Sequence, residues 1–158
     1  MRHRSLVTPV LGVLLAIFSS LPLLAQSQKQ APSYEQMSDR FFELLQSNKA
    51  EQGVDYLMAS NPNTLRIEDQ VAQLRTQFGS LHGLMGDNVS HTLLVEKKIT
   101  DRYVYQHYFV AYERQPISVR IIYYKPKDVW ECYSLQFDVE LQKTIQSAAD
   151  ATIVEEGK

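Results

Sequence analysis

The chain has 158 residues, 44% of them hydrophobic, and carries 16 Lys and Arg against 18 Asp and Glu. Its single cysteine, Cys132, excludes an intrachain disulfide scaffold, and the acidic balance excludes a dedicated nucleic-acid binder. That average joins two unlike parts: residues 1–25 hold 15 hydrophobic residues and no acid, and without them the charge is 14 basic against 18 acidic side chains.

Arg2, His3 and Arg4 precede 21 uncharged residues, Ser5 to Ala25, with an apolar heart from Val10 to Phe18. This is the order of a secretory signal, with cleavage expected after Ala25 and the bacterial periplasm or the exterior as destination. A leader kept uncut is long enough, at about 1.5 Å per residue, to cross some 30 Å of hydrocarbon, and only then is a membrane contact expected. Residues 26–32 read as a flexible linker, 33–140 as the folded domain and 141–158 as a tail.

Ser33 with Gln36 forms a capping box, and Tyr34, Met37, Phe41 and Leu44/Leu45 recur at helical spacing, which predicts a first helix to about Ser47. Val54, Leu57 and Met58 give a short second helix despite Gly53, ended by Asn61-Pro62. Asn63 or Thr64 is expected to cap a third helix, whose apolar positions Ile67, Val71, Leu74, Phe78 and Leu81 are spaced 4, 3, 4, 3. Gly79, Gly83 and Gly86 are expected to stop it in a flexible junction. The period then changes to 2, and seven of the nine tyrosines lie between Tyr103 and Tyr133. Strands are expected over 89–99, 103–113, 117–125 and 129–138, joined by three-residue connections that permit only antiparallel hairpins. Leu141, Ile145 and Ala148/Ala149 predict a short helix within the tail. Helices first and a meander second make an α+β fold, three helices on a four-stranded antiparallel sheet.

This order resembles the cone-shaped, cystatin-like superfamily of nuclear transport factor 2, ketosteroid isomerase and the polyketide cyclases. It is most similar to the small exported bacterial members with no assigned activity. The resemblance is carried by Phe41-Phe42-Glu43-Leu44-Leu45 and by the hairpin from Pro116 to Trp130, with its Tyr124-Lys125-Pro126-Lys127-Asp128 turn, and covers roughly Ser33 to Glu140. It implies a curved sheet whose helix-covered mouth holds any pocket.

Among chemistry-bearing residues, His107 is the one candidate general base in an aromatic setting, with Tyr105 and Glu96 beside it as further catalytic candidates. Tyr105, His107, Arg120 and Trp130 are the candidate contacts for a small apolar or anionic ligand. His82, His91 and His107 lack ligand spacing, so no metal is expected, and no phosphate loop or nucleophile elbow signals a cofactor or acyl-transfer site. Cys132 shares a strand face with Trp130 and is expected to be a buried, inert thiol. Arg120, Lys125 and Lys127 beside Tyr123 and Tyr124 read as a basic and aromatic cluster at a hairpin end. Both faces of the second strand are apolar, which points to a covered outer face and a homodimer formed through it. The leading function is therefore a non-enzymatic exported module binding a small ligand or a partner protein. The alternatives are an isomerase, dehydratase or cyclase, and a structural subunit of an envelope assembly.

Overall fold

A computed structural model of the chain describes residues 31–141. The expected signal at 1–25, residues 26–30 of the linker and residues 142–158 of the tail lie outside the described residues.

Helix α1 (Tyr34–Gln46) starts where the capping box requires: Ser33 Oγ accepts the Gln36 N–H, and Gln36 Oε1 accepts the Ser33 N–H at 2.9 Å. Its buried stripe includes Tyr34, Met37, Ser38, Phe41, Phe42 and Leu45. Asn48, with φ of 56°, reverses the chain in the left-handed conformation that asparagine tolerates. Helix α2 (Ala50–Met58) then crosses α1 closely, because Gly53 has no Cβ to stand 3.1 Å from the Phe41 ring.

The expected cap at Asn63 or Thr64 is replaced by a 3₁₀ turn over Pro62–Ile67. Asn61 caps that turn by accepting the Asn63 N–H at 2.9 Å, and Thr64 Oγ1 bonds back to the Asn61 carbonyl at 2.8 Å. Helix α3 therefore starts at Glu68, and it runs without a break to Met85. Gly79 and Gly83 are helical and form no junction. Each glycine costs a helix about 1 kcal/mol, less than burying Phe78, Leu81 and Met85 contributes. Only Gly86, with φ of 84°, ends the helix.

Strands β1 (Asn88–Thr100), β2 (Tyr103–Tyr112), β3 (Ile117–Tyr124) and β4 (Glu131–Asp138) form one antiparallel sheet in sequence order. The connections are unequal, 101–102, 113–116 and 125–130, where three residues each were expected. Trp130 falls in the last of them, outside β4. Three register shifts interrupt the pairing of β1 with β2, and β1 is an edge strand that leaves Leu93, Leu94 and Val95 exposed.

The core lies between helices and sheet. Val104, Gln106, Tyr108, Val110 and Tyr112 of β2 and Ile117, Val119, Ile121 and Tyr123 of β3 are buried there. The middle of the cone is filled by rings: Phe41 meets Phe42 at 5.1 Å and Phe78 at 5.7 Å, and Phe78 meets Phe137 at 4.9 Å. Among the described residues no helix is long and apolar enough to cross a membrane.

Candidate functional site

Two polar clusters stand on opposite faces of the sheet. On the helix side, Ser38 from α1 meets Gln106 from β2, and both are 1% exposed. Ser38 Oγ donates to Gln106 Oε1 at 2.6 Å and lies 2.7 Å from the Tyr123 hydroxyl. Gln106 Oε1 also accepts the Tyr108 hydroxyl at 3.0 Å, and its Nε2 donates to Glu96 Oε2 at 2.9 Å. The Tyr34 hydroxyl donates to Glu96 Oε1 at 3.3 Å, so a chain of hydrogen bonds runs from the core to the rim of the cone. Burial is the main cause that raises Tyr34, Tyr108 and Tyr123 above the ordinary tyrosine range, Tyr123 well above it. All three hydroxyls stay protonated as donors at neutral pH. At the rim, Lys98 Nζ stands 3.7 Å from Glu96, Trp130 packs edge-on against Tyr34 at 5.0 Å, and Lys125 Nζ lies 5.0 Å above the Trp130 ring. A cleft of about 460 Å³ opens there between Ser33, Gln36, Lys125, Asp128 and Trp130.

On the outer face, parity places Tyr103, Tyr105, His107, Phe109 and Ala111 of β2 side by side, all half-buried. Their partners on β3 are Tyr124, Ile122, Arg120 and Ser118 for the first four in turn. Tyr103 is 6.4 Å from the Tyr124 ring and 6.3 Å from that of Tyr133, and Tyr133 is 63% exposed. His107 Nε2, Ser118 Oγ and Arg120 Nε, all on this face, are sealed from water without a hydrogen-bond partner. Each such atom costs about 1–3 kcal/mol. The His107 imidazole is held below its ordinary pKa, first by burial and then by the Arg120 charge. Two further unpartnered atoms, Asn88 Oδ1 and His91 Nδ1, lie near the start of β1, away from this cluster.

The predicted residues are therefore divided between two places. Tyr105, His107 and Arg120 come together on the outer face, while Glu96 and Trp130 lie at the rim on the helix side. The expected basic and aromatic cluster does not assemble either, because Tyr123 points into the core, Lys125 covers Trp130 and Arg120 is on the outer face. Cys132 is 1% exposed, and burial pushes its thiol up to about 12. Ser38 and Gln106 went unmarked in the sequence. The available signal was Gln106 itself, an amide between Val104 and Tyr108 at the same strand parity.

No protein-family model matches the chain, and no curated protein matches it. Among solved structures, it is similar to a Campylobacter jejuni protein provisionally named an NTF2-like transpeptidase. That match has 14% identity and a TM-score of 0.50, and covers 64% of this chain and 97% of the other. A second similar structure is a Thiobacillus denitrificans protein provisionally named a calcium/calmodulin-dependent protein kinase type II association domain, at 15% identity and a TM-score of 0.45, covering 68% of this chain and 94% of that one. The first likeness shows the fold: the three helices and four-stranded meander are the nuclear transport factor 2-like cone.

Proposed function

We propose that the protein is an exported, non-enzymatic binding module whose working surface is the outer face of its sheet. One observation carries the reading: along β2 every inner position is buried by the helices, while every outer position is half-covered and mostly aromatic. A sheet face that meets only water alternates to polar residues, and Tyr103, Tyr105 and Phe109 do not. The exposed Val95 on β1, opposite His107, extends the same apolar surface. The cone interior, where a substrate would sit in an enzyme, is occupied by Phe41, Phe42 and Phe78.

The test uses the chain beginning at Gln26, the expected product of leader cleavage. A photo-reactive residue at position 105 is expected to cross-link a partner in the cell, whereas the same residue at position 51 on α2 is expected to give no adduct. Sedimentation at micromolar concentration identifies the case in which that partner is a second copy. A monomer that yields no adduct from position 105 overturns the reading. Export is checked by sequencing the N-terminus of the secreted chain, expected at Gln26.

A second reading, isomerase-, dehydratase- or cyclase-type chemistry at the rim, is favoured by the Glu96 carboxylate, which receives both Gln106 and Tyr34 and is partly open to solvent. It predicts small ligands that perturb Glu96, Tyr34 and Trp130 and leave Tyr105 untouched.

A further inference from the structure

The unpartnered atoms on the outer face specify what is missing. His107 and Arg120 are direct cross-strand partners, and Ser118 lies two residues before Arg120 on the same face. Arg120 Nε only donates, the Ser118 hydroxyl can donate, and His107 Nε2 donates in one of the two neutral tautomers. A single group with two adjacent acceptor oxygens answers all three. Among the described residues, the neighbouring strand positions do not supply it. Opposite Arg120 on β4 is Gln136, beside His107 and Tyr105 on β1 are Val95 and Lys97, and Asp138 opposite Ser118 accepts the Glu140 N–H at 2.8 Å.

We propose that a carboxylate side chain of a partner protein seats on His107, Ser118 and Arg120, with apolar flanks of that partner over Tyr105, Phe109 and Ile122. This rests on the outer face being the working surface. Charge complementarity chooses the occupant. A second copy related by a two-fold axis through the middle of the face sets Arg120 and His107 against their own counterparts, whereas an acidic segment meets Arg120 and Lys97. The three atoms are shielded in the free chain, so the Arg120 side chain must turn to admit the carboxylate. That movement supplies the signal.

The experiment follows the Arg120 Nε–H and His107 ring signals by NMR in the chain beginning at Gln26. The probe is a blocked tetrapeptide alternating phenylalanine and glutamate, compared with its glutamine counterpart and with sodium acetate. The glutamate peptide is expected to bind at least tenfold more tightly than the glutamine peptide and to shift Arg120 while Arg102 and Arg114 stay in place. Arg120→Gln is expected to abolish the difference, and Arg120→Lys, which keeps the charge and the fold but loses the fork, to restore part of it. Equal binding of the two peptides overturns the carboxylate assignment and leaves the face an apolar interface. Acetate acting as strongly as the peptide reduces the site to a free-anion site and overturns the protein partner. A sedimenting dimer that binds neither peptide gives the face to a second copy and overturns the proposal while sparing the outer-face reading. A failed cross-link at position 105 is what sinks that reading itself.

Discussion

Replacing Ser38 by alanine tests whether the hydrogen-bond chain inside the cone is a coupled unit. The substitution deletes a hydroxyl that lies 2.6 Å from Gln106 Oε1 and 2.7 Å from the Tyr123 hydroxyl. Gln106 Oε1 keeps the Tyr108 hydroxyl, but the Tyr123 hydroxyl, on a side chain 0% exposed, keeps nothing. Two lost bonds at about 1 kcal/mol each, with a stranded buried donor, give a cost of about 2–3 kcal/mol. Tyr123→Phe strands no such group, because Ser38 still bonds Gln106, and is expected to cost about 1 kcal/mol. In the double variant both partners are gone and no donor is orphaned, so its cost is expected to fall about 1 kcal/mol or more below the sum of the two. Urea unfolding of the chain beginning at Gln26 reads all three values, and the Ser38→Ala melting point is expected to drop by roughly 10 °C. Strictly additive costs, or a Ser38→Ala cost under about 0.5 kcal/mol, refute the claim that these groups satisfy one another.

Gly83→Ala, where a Cβ meets nothing within 4 Å, is expected to stabilise the fold by about 0.5–1 kcal/mol, whereas Gly86→Ala, at φ of 84° and against Glu113, is expected to destabilise it by about 1–3 kcal/mol. Thermal melts of the pair check the sign, and two changes of the same sign contradict it. The Cys132 thiol, raised from 9.0 to about 12, holds its proton longer in the folded than in the unfolded chain, so its contribution is whole below pH 9 and is lost as pH climbs towards 12. A disulfide reagent at pH 8 is accordingly expected to label Cys132 only in urea, and rapid labelling of the native chain refutes its burial. His91, stacked on Phe42 at 4.2 Å, is lowered from 6.5 by burial, so its contribution is whole above pH 6.5 and is lost as pH falls through the lowered value. A ring titration by NMR with a midpoint at or above 6.5 contradicts this.

Local rules made most of the fold legible. The Ser33 and Gln36 box set the start of α1, and the switch from a period of 3.6 to 2 after α3 separated helices from sheet. Glycine misled, because tertiary burial of Phe78, Leu81 and Met85 holds α3 through two glycines that propensity alone counts against it. The cap expected at Asn63 or Thr64 misled for a different reason: Asn61 caps a 3₁₀ turn over Pro62–Ile67, and spacing does not separate that turn from a first helical turn. For the site, strand parity correctly set Tyr105 and His107 on one face. Parity does not say which face the helices cover when both are apolar, so it leaves open whether Tyr105, His107 and Arg120 face the cone or the outer surface, and the strand pairing sets them on the outer one. Trp130 lies outside β4, at the rim. Ser38 was hidden because one serine in an amphipathic helix looks like any surface residue until Gln106, 68 positions away, is brought beside it.

The two polar clusters differ in a way that separates architecture from function. Inside the cone Gln106 receives Ser38 and Tyr108 and donates to Glu96, and Ser38 is shared with Tyr123, so these buried groups have partners within the chain. A network satisfied in this way fixes how α1 sits on the sheet and asks for nothing from outside. On the outer face the free chain leaves His107 Nε2, Ser118 Oγ and Arg120 Nε without partners, a cost of several kcal/mol that an apolar residue at any of the three positions would reduce. Glu96 and Trp130 lie beside the satisfied cluster; Tyr105 and His107 lie beside the unsatisfied one. A group supplied from outside lowers the free energy of the second cluster and has no vacancy to fill in the first. This difference supports the proposed outer-face reading, in which the filled cone is the scaffold and the outer face the binding surface.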